Sequence, residues 1–300
     1  MRHLLSIEEL EKKDILDIIN LAIKIKKKSK HYSKLMYEKS LLMIFELPSL
    51  RTRISFETAM TQMGGHAINY YTIHSPWGVG KESIEDVGNV VSRYVNAVMT
   101  RIKDHNEIVK LAQNSQVPII NGLSNKEHPC QILGDLLTIY EKGKLKNLKL
   151  AYLGDANNNV TYSLMHACSK MGIQMSIACP QTEEFLPSED VIRKTKTKVF
   201  KNPGDATRNA DVVYTDSWMS YSIPKKEKIR RTKALKRYQV TKDLMGITKK
   251  DSIFMHCLPA LREHEVTKDV IDGSKSVVFD QAENRMHIQK AIITWCLGKL

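Results

Sequence analysis

Apolar residues along this chain follow two rhythms: short unbroken runs, and stretches in which they return every three or four positions. The runs predict strands buried on both faces, and the spaced stretches predict helices packed on one side. Residues 6–29 carry the helical pattern through Ile7, Leu10, Ile15, Ile18, Ile19 and Ala22. Leu41 to Phe45 is a strand-like run, broken at Pro48 and Ser49. From Arg51 the residues Phe56, Ala59, Met60 and Met63 share one helical face until Gly64-Gly65 stops it. His66 to Thr72 predicts a second strand, followed by a Gly- and Pro-rich loop over 73–82. Ser83 then caps a helix with Ile84, Val87, Val91 and Tyr94 on one side. Ala97 to Arg101 and Val117 to Ile120 read as strands around a helix over His105 to Asn114, and His128 opens a helix to about Glu141.

After a join at Gly143 to Asn147 the rhythm starts again. Strands are predicted at Leu148–Leu153, Gln174–Ala178, Val212–Thr215, Ser252–Met255 and Ser276–Phe279. A turn at Gly154–Asn159 leads into a helix ending near Met171, and Glu283 to Leu297 is the closing helix. Repeated strand–helix units argue for the α/β class, with two doubly wound parallel sheets covered on both faces. Three hundred residues suffice for two such domains; the expected boundaries are 1–142 and 148–282, with 283–300 as a closing segment.

Ser49-Leu50-Arg51-Thr52-Arg53 stands where a strand hands over to a helix N-terminus. Free backbone N–H groups, the helix dipole, two hydroxyls and two guanidinium groups meet there, an arrangement that suits phosphate. A serine cap followed by two solvated arginines is the plainer alternative. In such sheets ligands bind beyond the carboxyl ends of the strands, and Arg51, Arg101, His128, Asn159, Asp216 and Cys257 all fall at such ends.

Composition narrows the class. The chain is 42% hydrophobic without low-complexity tracts, and no apolar run approaches the roughly 20 residues of a membrane span. Met1–Glu9 has no secretory apolar core, so a cytoplasmic location is expected. Five widely spaced cysteines argue against a disulfide framework or zinc site. The net charge of +13 concentrates in Lys24–Lys30 and Lys225–Arg237. Neither run has the aromatic interleaving of a nucleic-acid surface, so solvated basic faces are expected. Gly154 opens no G-x-G-x-x-G fingerprint, which disfavours a dinucleotide site.

Taken in order, Ser49–Arg53, His128-Pro-Cys-Gln131, Gly154–Asn159, Asp216-Ser-Trp-Met-Ser220, His256-Cys-Leu-Pro259 and Ala282-Glu-Asn-Arg285 resemble the successive signatures of the aspartate/ornithine carbamoyltransferases, nearest to the ornithine type in the second half. The resemblance implies a homotrimer with sites shared between subunits, no metal or organic cofactor, and a closing helix that returns to the first domain. Carbamoyl phosphate would be held by Ser49, Leu50, Arg51, Thr52, Trp77, Arg101, His128, Gln131, Cys257, Leu258 and Arg285. Asn159, Asp216, Ser220 and Tyr221 would hold the amino-acid acceptor, and Arg101, His128, Asp216, Cys257 and Arg285 would take part in the chemistry. By themselves, His128 reads as a solvated helix start, Arg285 as a surface arginine near Glu283 or Glu263, and Cys257 as a buried thiol.

Three positions depart from the ornithine pattern: Leu50 where Thr is usual, Trp77 where the neighbouring subunit's Gln stands, and Ser220-Tyr221-Ser222 in place of Ser-Met-Gly. The first two are similar to N-acylornithine enzymes, but the long proline-rich insertion of those enzymes is missing after Gly154. Ornithine is the expected acceptor, with N-acylornithine, lysine or putrescine as alternatives. A non-catalytic anion-binding protein would keep the Ser49–Arg53 stretch but has no use for Asp216 and Cys257 together.

Overall fold

The computed structural model describes residues 1–143, 147–219 and 223–299, except for the side chains of His74 and Lys225. Its described residues divide into two compact units. One comprises Met1–Leu137 with Glu283–Leu300, and the other Thr138–Ala282.

In the first unit, strands Ser40–Phe45 (β1), His66–Tyr71 (β2), Ala97–Arg101 (β3) and Ile119–Leu123 (β4) form one sheet in the order β2-β1-β3-β4. Every pairing is parallel. The chain runs outward from β1 to β2, then returns to build β3 and β4 on the other side, so strand order reverses between β1 and β3. That reversal is where an open parallel sheet leaves a crevice at its carboxyl edge. Ile44, Val98, Ile108, Leu111 and Ile119 make an apolar core beneath it.

The second sheet comprises Lys149–Leu153 (β5), Gln174–Ala178 (β6), Lys198–Phe200 (β7), Val212–Thr215 (β8) and Ile253–His256 (β9), ordered β7-β6-β5-β8-β9 and again all parallel. Here the reversal lies between β5 and β8. Leu153, Val213, Phe254, Val266 and Ile271 belong to the core on one side. Both sheets are thus doubly wound, as the sequence predicts.

The differences from the sequence-based expectations have local causes. The first helix spans Lys12–Lys27 rather than starting at residue 6, because the Asp14 carboxylate accepts from the Glu11 N–H at 3.1 Å and caps it there. Ile7 and Leu10 are buried ahead of it all the same. The fourth ladder starts after Pro118, which has no N–H to give. The helix Ile84–Val91 stops before Tyr94, which is exposed. Ser276–Phe279 is not a strand. Ser276 makes one isolated bridge to Phe254, and the closing helix begins at Val278, five positions before the expected start. Its ladder is already under way when Gln281 N donates to Val277 O at 2.9 Å.

The end of that helix is held within the first unit. Lys26 Nζ donates to Asn284 Oδ1 at 2.8 Å, Arg2 N donates to Cys296 O at 3.1 Å, and the Arg2 guanidinium lies 4.9 Å from the Trp295 ring centre. A Cβ built on Gly134, in the helix Pro129–Glu141, would stand 3.5 Å from Ile288 and 3.7 Å from the Arg285 backbone. A small residue there lets two helices approach closely and sets the position of Arg285.

Gly154 closes β5 with φ of +123°, and a Cβ on it would lie 3.1 Å from Trp218 Nε1. An L-residue disfavours that backbone region, so Gly154→Ala is expected to cost about 1–3 kcal/mol in urea denaturation. Unchanged stability would show that the turn accepts a Cβ.

Candidate active site

The first unit gathers its candidates around one hydroxyl. Ser49 is the N-cap of the helix Leu50–Gln62, and its side chain accepts from Thr52 N at 3.3 Å. Thr52 is fully buried, and its Oγ1 receives Ser49 Oγ at 3.0 Å, Arg285 Nη2 at 3.2 Å and Arg101 Nη1 at 3.4 Å. A hydroxyl oxygen has two lone pairs, so three donors converging on it form a donor-rich corner suited to an anion. Arg101 ends β3, beside β1 at the point where strand order reverses. Arg285 arrives from the closing helix. Its Nη1 donates to Gln131 Oε1 at 2.8 Å, and Gln131 Nε2 donates in turn to Asp135 Oδ1 at 2.8 Å. Arg285 is therefore a buried member of the cluster and not a surface arginine beside Glu283 or Glu263.

His128 is also buried, contrary to the solvated helix start that its position suggests. Burial first, and then the charges of Arg285 and Arg101, hold its pKa well below the usual imidazole value. The ring is neutral near pH 7, with one N–H to give and one lone pair. Arg51 occupies the first turn and is half-buried, while Leu50 is 72% exposed. Arg53 leaves the cluster: it is exposed and its Nε donates to Glu57 Oε1 at 3.0 Å. Only one of the two guanidinium groups in the strand-to-helix stretch is thus available to an anion there. Trp77 packs against the core that holds Ile44 and Ile84.

The second unit positions its candidates by strand register. Thr215 of β8 pairs with His256 of β9, so Asp216 and Cys257 are neighbours one step past the ladder. Cys257 Sγ donates to Asp216 Oδ1 at 2.8 Å, and Ser217 N donates to the same oxygen at 2.7 Å. Cys257 is partly accessible, whereas the other four cysteines are buried. Leu258 follows with φ of +56°, strained for a γ-branched residue, and its N–H donates to His256 Nδ1 at 2.9 Å. That bond places the ring proton on Nε2, which faces Glu265 Oε1 at 3.4 Å.

Across the reversal from β8, the turn after β5 is held by side chains. Asn158 caps the helix Asn159–Met171 by accepting from Thr161 N at 2.9 Å, while its amide donates to Asp155 O at 2.6 Å. Asn159 is thereby placed at that helix's first turn. Ser220 and Tyr221 lie outside the described residues.

Among the described residues, Asp216, His256 and Cys257 bring ligand-type atoms within 4.8 Å of one another. A carboxylate, imidazole and thiol would suit zinc, but the His256 ring nitrogens already face Leu258 N–H and Glu265.

Arg231 is a residue that the sequence reading missed. It lies within the basic run expected to be solvated, yet it is buried, with bonds to Asp155, Glu184 and the Trp218 carbonyl. The signal was its spacing: Leu235, fully buried four residues on, shares its face of the helix Lys228–Leu235.

Comparison with known proteins decides the family. Residues 2–141 match the carbamoyl-P binding domain of the aspartate/ornithine carbamoyltransferases, and residues 146–296 match their Asp/Orn binding domain. This chain belongs to the aspartate/ornithine carbamoyltransferase family. It is a carbamoyl-transferring enzyme. It is 46% identical over 307 residues to an ornithine carbamoyltransferase of Archaeoglobus fulgidus, covering 100% of this chain and 98% of the relative. It is 43% identical to a catabolic ornithine carbamoyltransferase of Halobacterium salinarum, with 98% of each chain covered. Its structure is similar to that of ornithine carbamoyltransferase from Pyrococcus furiosus, with a TM-score of 0.92 and 42% identity over 100% of this chain and 98% of that one. An anabolic ornithine carbamoyltransferase from Campylobacter jejuni gives a TM-score of 0.92 at 33% identity, both chains covered fully.

The buried neutral His128 also ties stability to pH. Because its folded pKa lies below the unfolded value of about 6.5, the folded chain binds fewer protons; stability is retained above that value and falls as the pH drops below it. His128→Gln should lose less stability than the parent between pH 7.5 and 5.5, by about 1 kcal/mol in chemical denaturation. Equal losses would count against a neutral buried imidazole.

Proposed function

We propose that this enzyme transfers the carbamoyl group of carbamoyl phosphate to the side-chain amine of L-ornithine, giving L-citrulline and phosphate. The observations that support this reading are a buried cationic cluster on Thr52 within one unit and a Cys257–Asp216 hydrogen bond within the other. The first stands at the reversal point of its sheet, and Asp216 of the second follows β8, the strand that borders the other reversal. The ornithine carbamoyltransferases among the relatives, matched over their full length, support the choice of acceptor.

In this proposal, Ser49, Leu50, Arg51 and Thr52 hold the phosphate through the backbone N–H groups, hydroxyls and guanidinium at the helix start. Arg101 and Arg285 stabilise the charge that grows on phosphate as the C–O bond breaks. The neutral His128 ring donates to the carbamoyl oxygen, and the second N–H of the Gln131 amide can turn to the same group. Asn159, Asp216, Ser220 and Tyr221 hold the acceptor. Its side-chain ammonium must lose a proton before the nitrogen can attack the carbamoyl carbon. The Asp216–Cys257 pair orients the amine and takes part in that proton loss, with Leu258 presenting its backbone alongside. The electron pair of the broken C–O bond leaves with phosphate. The proposal includes a cytoplasmic homotrimer in which Trp77 reaches a neighbouring subunit's site. The exposed apolar side chains of Ile68, Tyr70, Ile73 and Val79 support a subunit surface near β2.

An acceptor panel tests the substrate. Purified protein with carbamoyl phosphate should yield carbamoylated product with ornithine, and much less with acetylornithine, lysine, putrescine or aspartate. Product with acetylornithine and none with ornithine would overturn the acceptor. Separately, Cys257→Ser is expected to lower kcat/KM for ornithine about 100-fold while leaving carbamoyl phosphate binding within about twofold. Equal losses in both would remove the role given to the thiol.

A further inference from the structure

One guanidinium group in the second unit joins three loops that follow three different strands. Arg231 Nη2 donates to Asp155 in the turn after β5. Its Nη1 donates to Glu184 Oε1, after β6, at 2.6 Å. Its Nε donates to the Trp218 carbonyl, after β8, at 3.1 Å. The Phe185 ring lies under it, 4.8 Å from its centre to the guanidinium carbon, and Phe185, Trp218 and Leu235 form a small apolar cluster of their own.

These three loops are the ones that frame the acceptor half. Asp155 stands four residues before Asn159, and its backbone carbonyl receives both Asn158 Nδ2 at 2.6 Å and Tyr152 Oη at 2.8 Å. Trp218 stands two residues after Asp216, and its indole Nε1 lies 3.1 Å from where a Cβ on Gly154 would stand, a tight contact. The loop after β6 is tied to the same turn by Ala156 N donating to Phe185 O at 3.1 Å.

Glu184 is the outer anchor, since its two oxygens also receive Arg230 at 2.6 and 2.7 Å. Asp155 is the inner one. It is buried, and burial raises its pKa to about 6 despite the opposing pull of Arg231. A single planar fork with five donors can satisfy two carboxylates and a carbonyl at fixed angles; a lysine ammonium offers one centre and no such plane.

From this geometry we infer that Arg231 is a positioning residue for the acceptor. By bonding Asp155, Glu184 and the Trp218 carbonyl together, it sets the distance between the Asn159 turn and the Asp216 loop. The inference rests on the carbamoyl-transfer reading above, because it assigns those two loops to the acceptor.

The test compares steady-state kinetics of the full chain with Arg231→Lys, Arg231→Met and Asp155→Asn variants, varying each substrate in turn. Arg231→Met is expected to raise the acceptor KM about tenfold or more, the scale of a lost hydrogen bond to a charged group. The KM for carbamoyl phosphate should stay within about twofold. Arg231→Lys should lie between Arg231→Met and the parent. A purely structural role would reduce the active fraction, lowering kcat while leaving both KM values in place. If Arg231→Met does not fold, Asp155→Asn keeps the shape of that turn and should raise the acceptor KM in the same selective way. An unmoved acceptor KM in the folded variants, or equal rises for both substrates, would overturn the inference alone. A parent that carbamoylates no amine would overturn the reading on which it rests.

Discussion

Two guanidinium groups buried beside one threonine hydroxyl set the terms for the first half of this enzyme. Burying like charges is costly unless each is hydrogen-bonded and an anion can share the site. Arg285 is held in place by Gln131, which is held by Asp135, and both arginines lean on Thr52 Oγ1. Everything that delivers these groups follows from that need. β1 must end where the helix Leu50–Gln62 starts, β3 must run beside it to bring Arg101, and the closing helix must carry Arg285 into the first unit. Gly134 stands beside that helix, where an added Cβ would already be in van der Waals contact with Ile288 and the Arg285 backbone.

The second half solves a different problem with the same architecture. In the proposed reaction an amine would be held next to a group that can take part in its deprotonation, a task for a carboxylate and a thiol in contact rather than a nest of cations. Parallel register supplies it: once Thr215 faces His256, the next residue on each strand meets the other without further design. The two halves therefore divide the chemistry by charge. In the proposed reaction, cations would stand where negative charge grows on the leaving phosphate, and anionic or polarisable groups where an ammonium must become an amine. The neutral state of His128 belongs to this division. Burial first, and then the charges of Arg285 and Arg101, keep that imidazole uncharged.

Much of this was legible in the sequence because it sits at boundaries, and boundaries are what periodicity and turn residues reveal. Seven of the nine strands among the described residues were located within a residue or two, and Arg101, Asp216 and Cys257 follow directly from where their strands stop. What escaped notice has other causes. Ser276–Phe279 has the composition of a strand, but its backbone bonds turn inward to a helix from Val277 onward. The three-residue β7 is too short to show a pattern. Arg53 looked like a second phosphate ligand because it stands two residues from Arg51, yet a helix turns residues two apart to different sides, and Glu57 at i+4 takes it.

Arg231 shows the limit of composition most clearly. Within Lys225–Arg237 it differs in no chemical respect from Arg230, and a charge count treats the run as one solvated face. The fold separates the two neighbours by about 100° of helical rotation. Arg230 stays exposed and grips Glu184 from outside, while Arg231 turns inward beside Leu235 and meets Asp155, Glu184 and the Trp218 carbonyl. Asp155 explains why the inward position requires an arginine. A carboxylate buried there without a cation would remain protonated, and the turn that carries Asn159 would lose its tie to the loop that carries Asp216. The net charge of this chain is thus partly internal structure: Arg101 and Arg285 are buried in the first unit, and Arg231 ties three loops of the second together.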